Sequence, residues 1–245
     1  MDGKYTPYNW SASATRISEI LDQPAGQFQE TKSLPARDKL TYTNGFYSYC
    51  TALFIDIRDS SSLPDRHTRP VLAKLYRAFI SEMVAVLNSN PNVREVNIVG
   101  DCVWAVFNTP NRSDIDAAFS TAATANTLLK LLNLRYQKRK FSTLKIGIGL
   151  DYGRALMIKA GYNGSGINEV IYMGDVVNRA AHLAHEAGRG AFHPSPAIWI
   201  GDVLQGNLND ANKALLTSRY HNELGTVHTG DFVNTAMNEW VTENG

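Results

Sequence analysis

The amino-acid sequence predicts an α+β domain with helices packed on one face of a mainly antiparallel sheet. Three observations carry this reading. Short runs rich in Val, Ile, Phe and Tyr are separated by long stretches whose apolar residues recur at helical spacing. Their order is strand, helix, hairpin, helix, strand, strand, helix, which segregates the helices against an antiparallel sheet. A Gly-Asp pair, Gly100-Asp101, joins two of the strand runs as a tight hairpin tip.

The elements follow in order. Residues 1–45 are polar and punctuated by Pro7, Pro24, Gly26 and Pro35. They form an arm that packs on the core or on a second subunit, or else a disordered tail. One helix is expected there, with Ile17, Ile20 and Leu21 on a face and Ser11 or Ser13 as N-cap. The main domain covers 46–245. A strand from Phe46 passes through Asp56, and a helix over Pro70–Leu87 carries Leu72, Leu75, Phe79, Met83 and Val86 on one face. Val93–Val99 and Cys102–Phe107 form the hairpin. Asp114 caps or opens a second helix that runs to about Arg135. Leu144–Tyr152 is a strand, Gly153-Arg154 a turn and Ala155–Ala160 the return. Gly161–Gly166 is a hairpin turn, because no Gly-Lys-Ser/Thr follows to make it a phosphate loop. Glu169–Met173 is a strand, and a helix from Asp175 to Glu186 stops at Gly188.

The chain has 245 residues, enough for one domain with a large core or a domain with an extension. A hydrophobic share of 44% with 19% charged residues describes an ordinary globular protein. The net charge of +1 argues against a nucleic-acid partner. Cys50 and Cys102 lie in apolar runs and read as buried thiols of a reducing compartment, not as a disulfide or a metal pair. There is no apolar run long enough to span a bilayer and no basic-then-apolar leader pattern. A cytoplasmic protein with no membrane partner is expected.

Two strand runs end in carboxylates: Leu53-Phe54-Ile55-Asp56-Ile57 and Val96-Asn97-Ile98-Val99-Gly100-Asp101. An Asp at the end of a buried strand is costly to desolvate alone, and two on neighbouring strands repel unless a cation lies between them. Two carboxylates with a strand-end carbonyl make the hard-oxygen site that Mg²⁺ uses while it grips substrate phosphates. Arg58-Asp59-Ser60-Ser61 follows, where strand gives way to helix and backbone N–H groups are free for phosphate oxygens.

These residues resemble the catalytic core of class III nucleotidyl cyclases. The shared pattern is Phe-x-Asp-Ile at 54–57, then Ile-x-Gly-Asp-x-x-x-Ala-x-Phe at 98–107. A third block, Gly174-Asp175-Val176-Val177-Asn178-Arg179-Ala180-Ala181-His182-Leu183, is similar to that family's Gly-x-x-Val-Asn-x-Ala-x-Arg helix. The resemblance extends over about residues 46–235 and implies a ferredoxin-like core and cyclisation of a nucleoside triphosphate. It implies two Mg²⁺ or Mn²⁺ ions per active site on Asp56, Asp101 and the Ile57 carbonyl, and a homodimer with two shared sites. Asn178 matches the asparagine that orients the ribose. His182 stands where the family has its transition-state arginine, with Arg179 as a substitute. The C-terminal lysine is missing, and His228, Arg219 or Lys213 could replace it.

The positions that read the base are Asn97 and Ile171, which match neither the adenine nor the guanine pattern of the family. Aromatic residues on the first strand, Tyr49 and Phe54 among them, could narrow the pocket to fit a pyrimidine. This combination resembles the Pycsar antiphage pyrimidine cyclases, whose product activates a separate effector, and it favours UTP. The alternatives are an adenylate cyclase, a cyclic CMP producer and a non-catalytic nucleotide-binding dimer module.

Overall fold

In the computed structural model, residues 3, 5–163, 166, 168–190 and 195–245 are described. The chain opens with α1 (Trp10–Leu21) and β1 (Phe28–Glu30), followed by the long β2 (Gly45–Ile57). After a 3₁₀ turn at Ser60–Ser62 come α2 (Leu63–Arg66), α3 (Arg69–Asn88), the hairpin β3 (Val93–Val99) and β4 (Cys102–Asn108), and α4 (Arg112–Gln137). The second half has β5 (Ile146–Gly161), β6 (Asn168–Met173), α5 (Asp175–Glu186), β7 (Ile198–Gly201), α6 (Asp202–Asn207) and α7 (Asp210–Lys213). It closes with β8 (Thr217–His221), β9 (Gly225–Gly230) and α8 (Thr235–Asn244).

The strands form one mixed, mostly antiparallel sheet in the order β3-β4-β2-β5-β7-β9-β8, with β1 beside β2 and β6 beside β5. The α+β expectation therefore holds. Period-two alternation along β2 gives the sheet two distinct faces. Leu53, Ile55 and Ile57 point to an inner face, where Phe79 and Met83 of α3 and Phe119 and Leu128 of α4 complete a dry core. Cys50 and Ala52 point to an outer face, packed with Val106, Met157, Val176 and Ala180. The segment after β1 joins this second cluster through Leu34 and Leu40.

Glycines decide how closely α5 lies on the outer face. A Cβ at Gly149 would stand 2.2 Å from the Ala180 carbonyl oxygen, and one at Gly147 would stand 2.2 Å from that of Ala184. Gly153 has the same role and corrects the sequence reading. β5 runs unbroken from Ile146 to Gly161, with Gly153 opposite Cys50 in the ladder. A Cβ there would meet Val176 at 3.3 Å, so this glycine serves helix-on-sheet packing and not a turn. The chain reverses beyond Gly161, and the turn expected at 161–166 lies partly outside the described residues.

Two helix starts also differ from expectation. Asn9, not Ser11 or Ser13, caps α1, its side chain accepting from the Ala12 N–H at 3.0 Å. At α4 the cap is Asn111, and Asp114 is its capping-box partner. None of the residues of α1 is buried within the chain. Among the described residues, no helix is long and apolar enough to cross a membrane.

Candidate active site

The site begins where β2 ends. The Arg58 N–H donates to the Lys145 carbonyl at 2.8 Å, which ties the end of β2 to the chain entering β5. Asp59 then takes a left-handed backbone (φ 54°, ψ 31°), uncommon for a residue with a Cβ. Its carbonyl accepts from both the N–H and the hydroxyl of Ser62, at 3.0 and 2.8 Å. Asp101 arrives from the β3–β4 hairpin, whose tip needs the positive φ of Gly100 (63°). Since Ile55 pairs with Val103, Asp56 and Asp101 meet at one end of neighbouring strands.

Asp56, Asp101, Ser60 and Ser61 line one cleft of about 590 Å³, with Lys145 and Arg189 on its walls. His185, from the last turn of α5, lines it as well. Burial pushes the Asp56 carboxyl above its usual pKa; Arg58 opposes that rise and the Asp101 charge adds to it. The neighbouring Cys102 thiol is pushed up to about 12, first by burial and then by the Asp56 and Asp101 charges. The Arg58 guanidinium forms an ion pair with Asp56 and also donates to the His185 carbonyl. Its side chain thus closes the base of the cleft, leaving the turn's backbone as its contribution toward a phosphate.

Two carboxylates at the ends of neighbouring strands, beside the strand-end carbonyl of Ile57, are a donor set suited to hard divalent cations. Among the described residues no group of three or more His, Cys, Asp or Glu could hold a metal. An open site that leaves coordination positions to water and substrate oxygens is the Mg²⁺ pattern. The residues present fit it.

The remaining sequence-derived positions fall into three places. Asn178 and His182 are exposed on α5, at i and i+4, on a stripe that continues to His185 and the cleft. Asn178 itself stands about 10 Å along the helix from His185, taking a rise of about 1.5 Å per residue. Arg179 is turned elsewhere: its Nε lies 3.6 Å from Asp151, and its Nη2 donates to the Thr226 carbonyl at 3.0 Å. On the outer face Asn97, Trp104 and Phe54 lie opposite one another across three strands. The Phe54 and Trp104 rings stack at 4.9 Å, and Ile171 is exposed on β6.

Tyr49 is placed on the other face of β2 from Asp56, where it packs at 5.7 Å against Tyr152. An odd-numbered spacing along a strand reverses the side chain, so this separation was readable from the sequence. His228 is bonded to Asp202 at 3.0 Å, and it is Lys145 and Arg189 that supply cations at the cleft instead. Neither carried a signal in the sequence, because each sits in a connecting segment and acquires its neighbours only through the fold.

Residues 43–205 match the family model described as the adenylate and guanylate cyclase catalytic domain. The chain is 39% identical over 264 residues to a uridylate cyclase of Gulbenkiania mobilis, with full coverage of both. It is 35% identical to a uridylate cyclase of Treponema porcinum, over 96% of this chain and 82% of that one. The fold matches the crystal structure of the adenylyl cyclase CyaB from P. aeruginosa with a TM-score of 0.62 and 19% identity, over 76% of this chain and 94% of that one. Taken with the paired aspartates and the Asn178 helix, these findings place the chain in the adenylate and guanylate cyclase family as a class III nucleotidyl cyclase.

Proposed function

We propose that the chain converts UTP to 3′,5′-cyclic UMP and pyrophosphate, working as a homodimer with two shared sites. The ribose 3′-hydroxyl oxygen bonds to the α-phosphorus, the bond to the bridging oxygen breaks, pyrophosphate leaves and the hydroxyl proton passes to solvent. The observation that carries this reading is the cleft that joins Asp56 and Asp101 to the Ser60–Ser61 turn and two flanking cations. Two Mg²⁺ or Mn²⁺ ions on Asp56, Asp101 and the Ile57 carbonyl would make the hydroxyl more acidic and neutralise the leaving group. The turn's N–H groups, Lys145 and Arg189 hold the β- and γ-phosphates, so that the triphosphate is bent toward its own sugar.

The distance of Asn178 from its own cleft supports a site completed by a second copy. The partner subunit's Asn178 orients the ribose, and the partner subunit's His182 meets charge that develops on the α-phosphate. Asn97 contacts the base, with Phe54 and Trp104 beside it. The preference for UTP rests on the full-length uridylate cyclase relatives and on the absence of a purine-reading pair at Asn97 and Ile171. Cyclic UMP would then act on a separate effector in antiphage defence.

Incubating the purified protein with each nucleoside triphosphate and Mn²⁺ tests the substrate. Cyclic UMP as the main product is expected; cyclic AMP, cyclic CMP or no product would overturn the reading. Mixing Asp56→Ala and Asn178→Ala variants tests the shared site. Each alone should be inactive, and the mixture should regain activity through dimers with one intact site. A mixture as inactive as its parts would place both groups in one subunit.

A further inference from the structure

β3 carries a second polar side chain on the same outer face as Asn97, two residues earlier. Glu95 is 11% exposed and is gripped from two distant parts of the chain. From β6, the Tyr172 hydroxyl donates to Glu95 Oε2 at 3.2 Å. From the N-terminal segment, an Arg37 nitrogen lies 3.8 Å from Glu95 Oε1, while the other donates to Glu169 at 2.6 Å. Burial raises the Glu95 carboxyl above its usual pKa, and Arg37, Tyr172 and the Asn97 amide hold it down. Asn97 Nδ2 and Glu95 Oε1 are both buried without an aligned hydrogen bond.

A carboxylate only accepts, so the end of the Asn97 amide turned toward it is the donor, Nδ2. The carbonyl end, Oδ1, is then the end not turned to Glu95, on the sheet face that also carries Phe54 and Trp104. Uracil carries a hydrogen on N3, whereas cytosine presents a bare lone pair there. We infer that Glu95 is a positioning residue that locks the Asn97 amide with Oδ1 toward the nucleotide, so that the site accepts the N3–H of uracil and turns cytosine away. Tyr172 and Arg37 hold the carboxylate in place. The inference rests on UTP as substrate and on Asn97 as a base contact.

Glu95→Gln tests it, because a glutamine can offer either end of its own amide and leaves Asn97 free to flip. Dissociation constants for UTP and CTP are measured by calorimetry with Ca²⁺, alongside kcat and KM for cyclic product with Mn²⁺. The wild type should favour UTP. In Glu95→Gln the UTP-over-CTP preference should fall at least about tenfold, which corresponds to about 1.4 kcal/mol. That loss should appear in KM and in the dissociation constants, with kcat for UTP little changed. Equal weakening for both nucleotides would show a merely structural role and overturn the inference.

If Glu95→Gln fails to fold, the wild type still decides the matter. N3-methyl-UTP, which lacks the hydrogen, should bind at least about tenfold more weakly than 5-methyl-UTP. Equal binding of the two methylated nucleotides would refute Asn97 Oδ1 as the acceptor. A wild type with no preference for UTP would instead sink the substrate assignment itself, an outcome read before any variant is made.

Discussion

The two faces of the sheet handle polar groups in opposite ways. On the inner face, the buried polar groups among the described residues are satisfied: the Tyr136 hydroxyl donates to the Leu75 carbonyl at 3.0 Å, Asn126 donates to that of Phe232 at 3.0 Å, and Asn90 donates to the Thr121 hydroxyl at 2.9 Å. The buried side-chain atoms without a partner among the described residues belong to Ser48, Arg58, Glu95, Asn97, Asp151 and Arg179. All six residues lie on the outer face or on α5, which covers it. An unpaired buried polar group costs about 1–3 kcal/mol, so a face that gathers them is arranged for something other than stability. The inner face holds the fold together, and the outer face keeps polar and charged groups buried at a cost to stability.

Substitutions on each face should separate these roles. The largest effect is expected from Asp56→Ala or Asp101→Ala, each of which should abolish cyclic product in a chromatographic assay. Asp101→Ala should keep the denaturation midpoint at or above wild type, whereas Asp56→Ala strands the buried Arg58 guanidinium and should lower it. Retained turnover in either variant would remove the aspartates from the chemistry. Phe79, fully buried on the inner face, should behave in reverse. Phe79→Ala should cost about 3–5 kcal/mol in urea unfolding. A loss under about 1 kcal/mol would mean that the inner core can collapse around the gap.

A pH experiment sharpens the contrast at Asp151, which lies on the outer face opposite Ala52. Burial lifts the Asp151 carboxyl from 3.8 to about 6, against the pull of a Tyr152 backbone N–H and Arg179. The folded chain keeps this proton up to about pH 6, while the unfolded chain releases it near 3.8. Its contribution to stability is therefore complete at low pH and falls away as pH rises through that window, by about 3 kcal/mol. Asp151→Asn should remove this slope, seen by comparing urea midpoints of the two proteins at several pH values from 4 to 7. An unchanged slope would mean that Asp151 is already ionised at pH 4.

The smallest effect is expected at the Asp59 turn. Asp59→Gly should leave turnover within about twofold, since glycine adopts the left-handed backbone freely. Asp59→Val should cost about 1–2 kcal/mol, because a β-branched residue resists positive φ. Equal stability of the two variants, read by thermal unfolding, would show that the turn relaxes to another conformation.

How much could be read in advance depended on how local each signal was. The Asp56 and Asp101 blocks, the Gly100 hairpin and the α3, α4 and α5 helices were legible because alternation, helical period and turn chemistry are written within a few neighbouring residues. Gly153 misled for the same reason: a glycine in a strand reads as a turn until the helix that packs on it is known. Lys145, Arg189 and the Glu95–Tyr172 pair left no trace, since each joins segments far apart in the chain. Arg179, offered by the sequence as a substitute for the missing arginine, lies beside Asp151 and donates to the Thr226 carbonyl, contacts that likewise join distant segments.

The sequence by itself determined the chemistry on offer: two strand-end carboxylates, a phosphate-sized turn and a helix bearing Asn178 and His182. It could do so because these residues act through backbone geometry that their immediate neighbours impose. Only the tertiary structure decided which cations surround the cleft, which face each strand residue occupies and which buried atoms are left without partners. Those outcomes depend on sheet register and on how closely α5 approaches Gly147 and Gly149, and such contacts between distant segments have no local pattern to announce them.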